Sequence, residues 1–417
     1  MKSRVVSTQC AATCDLEQPS RPIGDSPTMA IVSRARRELA AWVQTRNYSG
    51  YEPYDLLNSR YLRGRWARRP PCNVILIQLG RRFAGELARR WLQVPPSKNP
   101  KALGLFLSGL CDISRCGEDV ERQVQDLKRE LIQLRSPGEE FLCWGYDWDF
   151  YSLRGPEMRA FSPNAIASYF CGTAFLDCWE TFHHADARGI AESVGEFIVQ
   201  RLNRPVDMEQ QLCFGYTPTS RGIIYNASAL AGAFLARLAS HDGKSEYYGL
   251  ARRCMSFLVA AQRKDGSWPY GANHRQRWID HFHTGYNLCA LLEYSRCSGD
   301  HSFGAAVERG YDFYKRKFFT HDGIPKYFQN GLYPIDIHSC SQAILTFAAF
   351  ADRDPSASEC ALRTAIWSVQ NMQRNDRAFY YQRHRFWTNR APYMRWGQAW
   401  MFRALSGLEL ASRKVSS

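Results

Sequence analysis

No stretch of the 417-residue sequence approaches the roughly 18 to 20 consecutive apolar residues that cross a bilayer. A secretory signal is missing too, because residues 1–28 are rich in Ser, Thr, Pro and Asp and contain no apolar segment of signal length. That stretch reads as a disordered leader before a single domain over 29–417, with Met29 opening the first helical pattern and standing as an alternative start. The 14 cysteines include no CxxC pair, which removes the usual zinc and thiol-redox spacings. Cys111, Cys171, Cys178, Cys254, Cys289, Cys340 and Cys360 fall inside apolar helical patterns, so free thiols and a reducing, cytoplasmic compartment are expected. GxSxG, Walker A, GxGxxG, HExxH and Cys/His nucleophile motifs are absent. Zinc through His281, His283, Asp336 or His338 is disfavoured, because i, i+2 spacing at a helix start seldom aims two imidazoles together. Neither a metal nor a cofactor is therefore expected.

What is present is a folded, globular composition: 45% hydrophobic, 13% aromatic and 23% charged. The net charge of +14 is concentrated at one end, with 17 Lys and Arg against 7 Asp and Glu in the first 100 residues. Arg60, Arg63, Arg65, Arg68, Arg69, Arg81, Arg82, Arg89 and Arg90 carry most of it. Such a segment is a solvated helix face or an electrostatic footprint for anionic lipid, an acidic glycan or a nucleotide diphosphate. Peripheral attachment to the inner membrane, or to polysaccharide-assembly proteins, through this basic quarter is one expectation. Nucleic acid is not, since no zinc finger, helix-turn-helix or RNP-like motif accompanies the charge.

An aromatic, glycine-containing turn recurs about every sixty residues, at Cys143–Asp149, Cys213–Pro218, Asp265–Tyr270, Asp322–Tyr327 and Phe379–Tyr381. Each precedes an apolar helix pattern rich in small residues, starting near Pro163, Asn226, His283, His338 and Arg395. More charged helices fall between them, over Glu246–Ala261, Phe303–Phe318 and Ala357–Gln373. Upstream, Asn99–Leu110 pairs with Val120–Leu134, and Ile31–Val43 with Val74–Leu92 forms one more candidate hairpin. Six or seven hairpins with no polar capping repeat predict an all-α, (α/α)6-type toroid of inner and outer antiparallel helices. Its aromatic turns gather at one mouth, where the inner-helix N-termini favour an anionic or hydroxyl-rich ligand.

The set GYDWD, GYTP with NAS, QRKDGSWPYG, WIDHFHTGY, GIPKYF with PIDIHSCSQA, and RWGQAW resembles the bacterial toroid proteins of surface-polysaccharide clusters, the VpsJ-type polysaccharide biosynthesis proteins. The likeness spans about Tyr51 to Leu410. It implies a bacterial protein of exopolysaccharide or capsule biosynthesis whose partner is an oligo- or polysaccharide or an activated sugar precursor. More broadly the layout is similar to the carbohydrate-active (α/α)6 barrels: N-acylglucosamine 2-epimerases, unsaturated glucuronyl hydrolases and glucuronyl C5-epimerases. It is also similar to terpene-cyclase toroids, whose QxxDGSW repeat Gln262–Trp268 approaches; only one Asp stands where a DxDD acid would be.

Asp280 and Asp336 occupy equivalent positions at two inner-helix starts. They are expected to be N-caps or a facing acid/base pair, with His283 and His338 orienting them or the substrate. Asp147 and Asp149 alternate about Trp148, which on an extended strand puts both carboxylates on one face for sugar or metal–nucleotide binding. Trp144, Tyr146, Trp148, Tyr216, Trp268, Tyr270, Tyr286, Tyr381 and Trp396 are candidates to stack on sugar C–H faces. Asn226 and Gln342 supply amide hydrogen bonds, and Lys326 and Arg395 cations, Arg395 as a bidentate clamp for a carboxylate or phosphate. The expected activity is hydrolysis, elimination or epimerisation of a glycan by carboxylate acid/base chemistry. A non-catalytic glycan-binding or scaffolding subunit and an isoprenoid cyclase are the alternatives.

Overall fold

Asn99, Asn164, Asp280 and Asp336 each hold extended backbone and accept a hydrogen bond from an N–H one turn or less ahead, on Ala102, Ala167, His283 and His338. A short polar side chain satisfying an otherwise orphaned N–H is a helix start signal, and all four open helices of one ring. The computed structural model describes residues 27–62, 64–151 and 157–416. Its helices are α1 (Pro27–Gln44), α2 (Cys72–Phe83), α3 (Glu86–Trp91), α4 (Pro100–Arg115), α5 (Glu121–Gln133), α6 (Ala165–Phe182) and α7 (Ala185–Glu196). They continue with α8 (Tyr225–Asp242), α9 (Ser245–Ala260), α10 (His281–Ser298), α11 (Gly304–Lys317), α12 (Ile337–Ala349), α13 (Ala357–Met372) and α14 (Trp400–Ser416).

The inner ring runs α4, α6, α8, α10, α12, α14, each against the next, and α14 packs back on α4. Outside it lie α5, α7, α9, α11 and α13, each against its preceding inner helix. Small residues allow the inner contacts: a Cβ on Gly104 of α4 would lie 3.0 Å from the Phe170 carbonyl oxygen of α6. Ion pairs bind neighbours across the ring, Arg237 of α8 reaching Asp177 at 2.6 Å and Glu180 at 2.7 Å on α6, and Arg403 of α14 pairing with Asp112 of α4. The chain is an (α/α)6 toroid, as the repeat predicts.

The sixth hairpin differs from expectation. α1 does not pair with Val74–Leu92; it lies on α13 and α14, with Arg36 bound to Glu409 at 2.8 Å, so the first described helix is the outer partner of the last. Val74–Leu92 instead forms α2 and α3 within a cover, residues 45–99, whose Glu52 and Tyr54 reach the turns at the mouth. The leader expected over residues 1–28 lies outside the described residues up to residue 26. Two small antiparallel ladders brace the turns: β1 (Val206–Asp207) with β2 (Leu212–Cys213), and β3 (Ile335–Asp336) with β4 (Gln382–Arg383), which pairs in turn with β5 (Thr388–Asn389). The twelve described cysteines are free. No helix among the described residues is long and apolar enough to cross a membrane.

Candidate active site

At the start of α10 the Asp280 carboxylate is divided between two tasks. Oδ1 accepts from the His283 backbone N–H at 3.0 Å and caps the helix. Oδ2 accepts from Trp278 Nε1 at 2.9 Å and from the His283 ring Nδ1 at 2.7 Å. An acceptor-only carboxylate there puts the imidazole proton on Nδ1 and leaves Nε2 with its lone pair. The His283 side chain is 20% exposed while Asp280 is buried. The Asp280 carboxylate thus holds the orientation of the His283 ring, and of the two side chains the histidine is the more exposed.

The equivalent Asp336 at the start of α12 is spent differently. Oδ1 accepts from the His338 backbone N–H at 2.8 Å and from Trp396 Nε1 at 3.0 Å, and Oδ2 accepts from Gln382 Nε2 at 2.6 Å. β-ladder pairing of Asp336 with Gln382 places that amide. Burial pushes the Asp336 carboxyl up to about 6, against the pull of Gln382, Trp396, the His338 N–H and Arg81. Asp336 does not orient the His338 ring. That imidazole is bonded through Nε2 to the Tyr286 hydroxyl at 2.7 Å and lies between Phe282 and Trp400, at ring separations of 4.4 and 4.5 Å. Burial, then the nearby Lys101 and Arg395 charges, hold His338 well below the ordinary histidine range, so it is neutral. His283 and His338 both contact Phe282, and each ring centroid is 5.9 Å from that of Tyr286.

Across the mouth, Tyr146 stacks on Trp148 at 4.9 Å and meets the Tyr216 hydroxyl at 3.2 Å, with the Arg395 guanidinium 4.9 Å from the Trp148 ring and 5.3 Å from that of Tyr146. A π-helical turn, Met394–Ala399, leads into α14 and carries both Arg395 and Trp396. Tyr270 stacks on Trp278 at 4.5 Å and faces His283 at 4.5 Å, and Tyr381 stands 6.2 Å from Trp396. Arg395 already holds a carboxylate, that of Glu52 from the cover: Nη2 is 3.1 Å from Oε2, and the Arg395 backbone N–H donates to Oε1 at 2.8 Å. The expected clamp is thus occupied by the chain itself. Burial pushes the Glu52 carboxyl up to about 8, with Arg395 opposing.

Sequence reasoning missed two residues here, Glu52 and Lys101. Lys101, in the first turn of α4, is 3% exposed, and among the described residues its Nζ has no hydrogen-bond or ion-pair partner. The amine instead stands 4.1 Å from the Phe170 ring, 5.1 Å from Trp400 and 5.7 Å from Tyr286. Burial, reinforced by Arg395, lowers its pKa well below the usual lysine value. One local signal existed: a cation in the first turn of an inner helix opposes the helix dipole. Partnerless buried polar atoms gather at the same place, namely His338 Nδ1, Arg395 Nε, Trp148 Nε1 and Trp400 Nε1. Buried polar groups normally find partners, so these four leave hydrogen-bonding capacity unspent within the cluster.

Several expected ligand residues are engaged by other parts of the fold. Trp144 and Trp268 bury their indoles and donate Nε1–H to Leu131 and Leu258 carbonyls at 2.7 and 3.0 Å, tying the turn to the C-terminal end of an outer helix. Asp147 and Asp149 do not form a pair: Asp147 accepts from Ser97 and Asn99, while Asp149 accepts from the Ala160 N–H at 2.9 Å and faces Arg68 at 3.3 Å. Gln342 bonds Thr346 at 3.0 Å and packs against Gly285 of α10, below the mouth. Lys326 reaches the Gln329 carbonyl and senses Lys317, away from the cluster. Asn226 lies buried in the first turn of α8 with its Oδ1 unpartnered. His281 faces Tyr314, Phe318 and Phe319, so it shares no site with His283.

Fold and mouth together define the class: an (α/α)6 toroid whose inner-helix starts carry a packed cluster of aromatic and histidine side chains. Three solved structures of this architecture are similar to it. Cellobiose 2-epimerase from Bacillus thermoamylovorans superposes with a TM-score of 0.63 at 12% identity, over 92% of this chain and 99% of that one. A family 76 glycoside hydrolase from a bovine Bacteroides thetaiotaomicron strain gives 0.59 at 11% identity, over 94% and 78%. An unsaturated glucuronyl hydrolase variant with dGlcA-Glc-Rha-Glc gives 0.59 at 14% identity, over 90% and 95%. At these identities the likeness is one of fold. No protein-family model matches the chain, and no curated protein matches it in sequence.

Proposed function

We propose that the protein is a glycan-modifying enzyme that moves protons on a sugar through imidazoles, an epimerase-type reaction, with a surface-polysaccharide oligosaccharide or activated precursor as substrate. The observation that carries this reading is the Asp280–His283 pair, which leaves one nitrogen of a fixed tautomer exposed. The two carboxylates that a glycosidase would use already accept at least three hydrogen bonds each. His283 Nε2 takes the proton from a sugar carbon next to a carbonyl, whose oxygen receives the electron pair, and the imidazolium so formed returns a proton to the same carbon; His338 stays neutral by burial. Arg395 and Lys101 stabilise the oxyanion that develops. Trp396, Tyr270 and Tyr286 offer apolar faces to the ring. The toroids of known carbohydrate-active enzymes support a sugar substrate, and the surface-polysaccharide assignment rests on the motif resemblance. A glycan-binding subunit is the second reading, supported by Glu52 filling the Arg395 clamp.

Proton NMR in D2O of the protein with neutral and acidic oligosaccharides, and isoprenoid diphosphates as contrast, tests it. Loss of a ring C–H signal without chain cleavage is expected. New reducing ends or vinyl signals as the sole products overturn the imidazole route in favour of hydrolysis or elimination. Line broadening with no product establishes the binding subunit.

A further inference from the structure

The cover has a second face. On α2, Val74 and Ile77 turn inward onto Leu57, Ala67 and Tyr151, while Ile75, Leu79 and Phe83 form an outward stripe at i, i+4, i+8. Phe83 is 67% exposed, and on α3 Leu87 and Trp91 are 79% and 87% exposed. The β4–β5 tip adds Phe386 at 86%, and its Asn389 side chain bonds the Arg81 and Arg82 carbonyls, which joins the tip to the end of α2. Large apolar side chains exposed together on a soluble fold mark an interaction surface.

We propose that this outer face of the cover docks on an anionic lipid bilayer. Arg60, Arg69, Arg82 and Arg90 are exposed among the apolar groups, and Arg383, Arg385 and Arg390 are exposed on the adjoining hairpin; Glu86 is the one acidic residue between Arg60 and Trp91. A second copy would bring these guanidinium groups against one another, whereas anionic headgroups neutralise them. Amphipathic helices with Phe, Leu and Trp on one side and Arg at the edges lie in the headgroup region of a membrane without crossing it. Trp66, Trp91 and Trp387, all exposed, are the ring types that settle at that depth. The mouth under the cover then faces the bilayer. This inference is independent of the chemistry proposed above.

The full chain is to be sedimented with vesicles of phosphatidylcholine alone and with phosphatidylglycerol added at about one lipid in three, the charge ratio that raises basic-segment binding. Binding to the anionic vesicles is expected, weakened by high salt. Leu79→Ser with Phe83→Ser and Trp91→Ser lowers partitioning about a hundredfold, and Arg82→Gln with Arg90→Gln about tenfold. All five positions are exposed, so circular-dichroism melts of both variants match the parent. Absence of vesicle binding, equal binding to neutral vesicles, or unchanged binding of both variants overturns the proposal. So does a dimer, or an acidic protein complex, that those same substitutions abolish while vesicles bind no protein. Turnover of a water-soluble oligosaccharide is unaffected by any of these results.

Discussion

The starts of α10 and α12 are the same device put to two uses. Each has an aspartate as N-cap, a histidine inside the first turn and an indole N–H on the carboxylate. At α10 the second oxygen binds the histidine ring and so determines which nitrogen carries the proton. At α12 it binds Gln382 of a neighbouring strand, and the histidine ring is left to Tyr286. A cap position therefore predicts a helix start; its second oxygen decides whether the neighbouring histidine ring is held as well.

The comparison breaks most sharply at Asp280→Asn. Asparagine still caps α10, but its NH2 faces the Trp278 Nε1–H in a buried place, so stability falls by about 1–3 kcal/mol. Its amide NH2 facing the His283 Nδ1–H favours the wrong tautomer, and turnover falls about 10²- to 10⁴-fold. Steady-state kinetics beside a thermal melt separates the two effects. Parent-like turnover would remove His283 from the reaction.

Tyr286→Phe ranks next, because it removes the hydrogen bond at Nε2 of the buried His338 ring. A loss of about 1–3 kcal/mol in denaturant unfolding is expected. His338 Nε2 then shifts in nitrogen-15 NMR, whereas the His283 ring signals stay in place.

Asp336→Asn has the smallest expected effect on activity, under about tenfold, since this carboxylate touches no imidazole. Its signature is in pH. The buried carboxyl binds its proton up to about pH 6, against an ordinary 3.8. Between those values the folded state holds more protons than the unfolded chain, so this group's contribution to stability falls as pH rises through the window. Unfolding free energy measured from pH 4 to 7 should decline less steeply in the variant. An unchanged slope would mean that Asp336 is ionised throughout.

The caps and the ring were readable from sequence because both are local. Asn99, Asn164, Asp280 and Asp336 act on N–H groups within three residues, and the small-residue helices recur with the turns. The aromatic residues were not sorted by sequence, because Trp144 and Trp148 stand in one motif, yet one closes an outer helix and the other faces Arg395. The occupant of Arg395 comes from 343 residues away, a separation no motif records. Periodicity likewise showed that α1 has an apolar face without showing that the face belongs to α14.

That last pairing has a consequence for synthesis. α1 is translated well before its inner neighbour α14, for the Arg36–Glu409 contact spans 373 residues. At about 5–20 residues per second, α1 waits some tens of seconds for its partner while the five intervening hairpins assemble. During that interval Met29, Val32, Leu39 and Val43, all buried in the finished ring, are sticky surface on a nascent chain. A growing polypeptide with such a delayed closure is a natural client for a ribosome-associated chaperone, and the seam between α1 and α14 is where a mistimed molecule would exchange its first helix with a neighbour's.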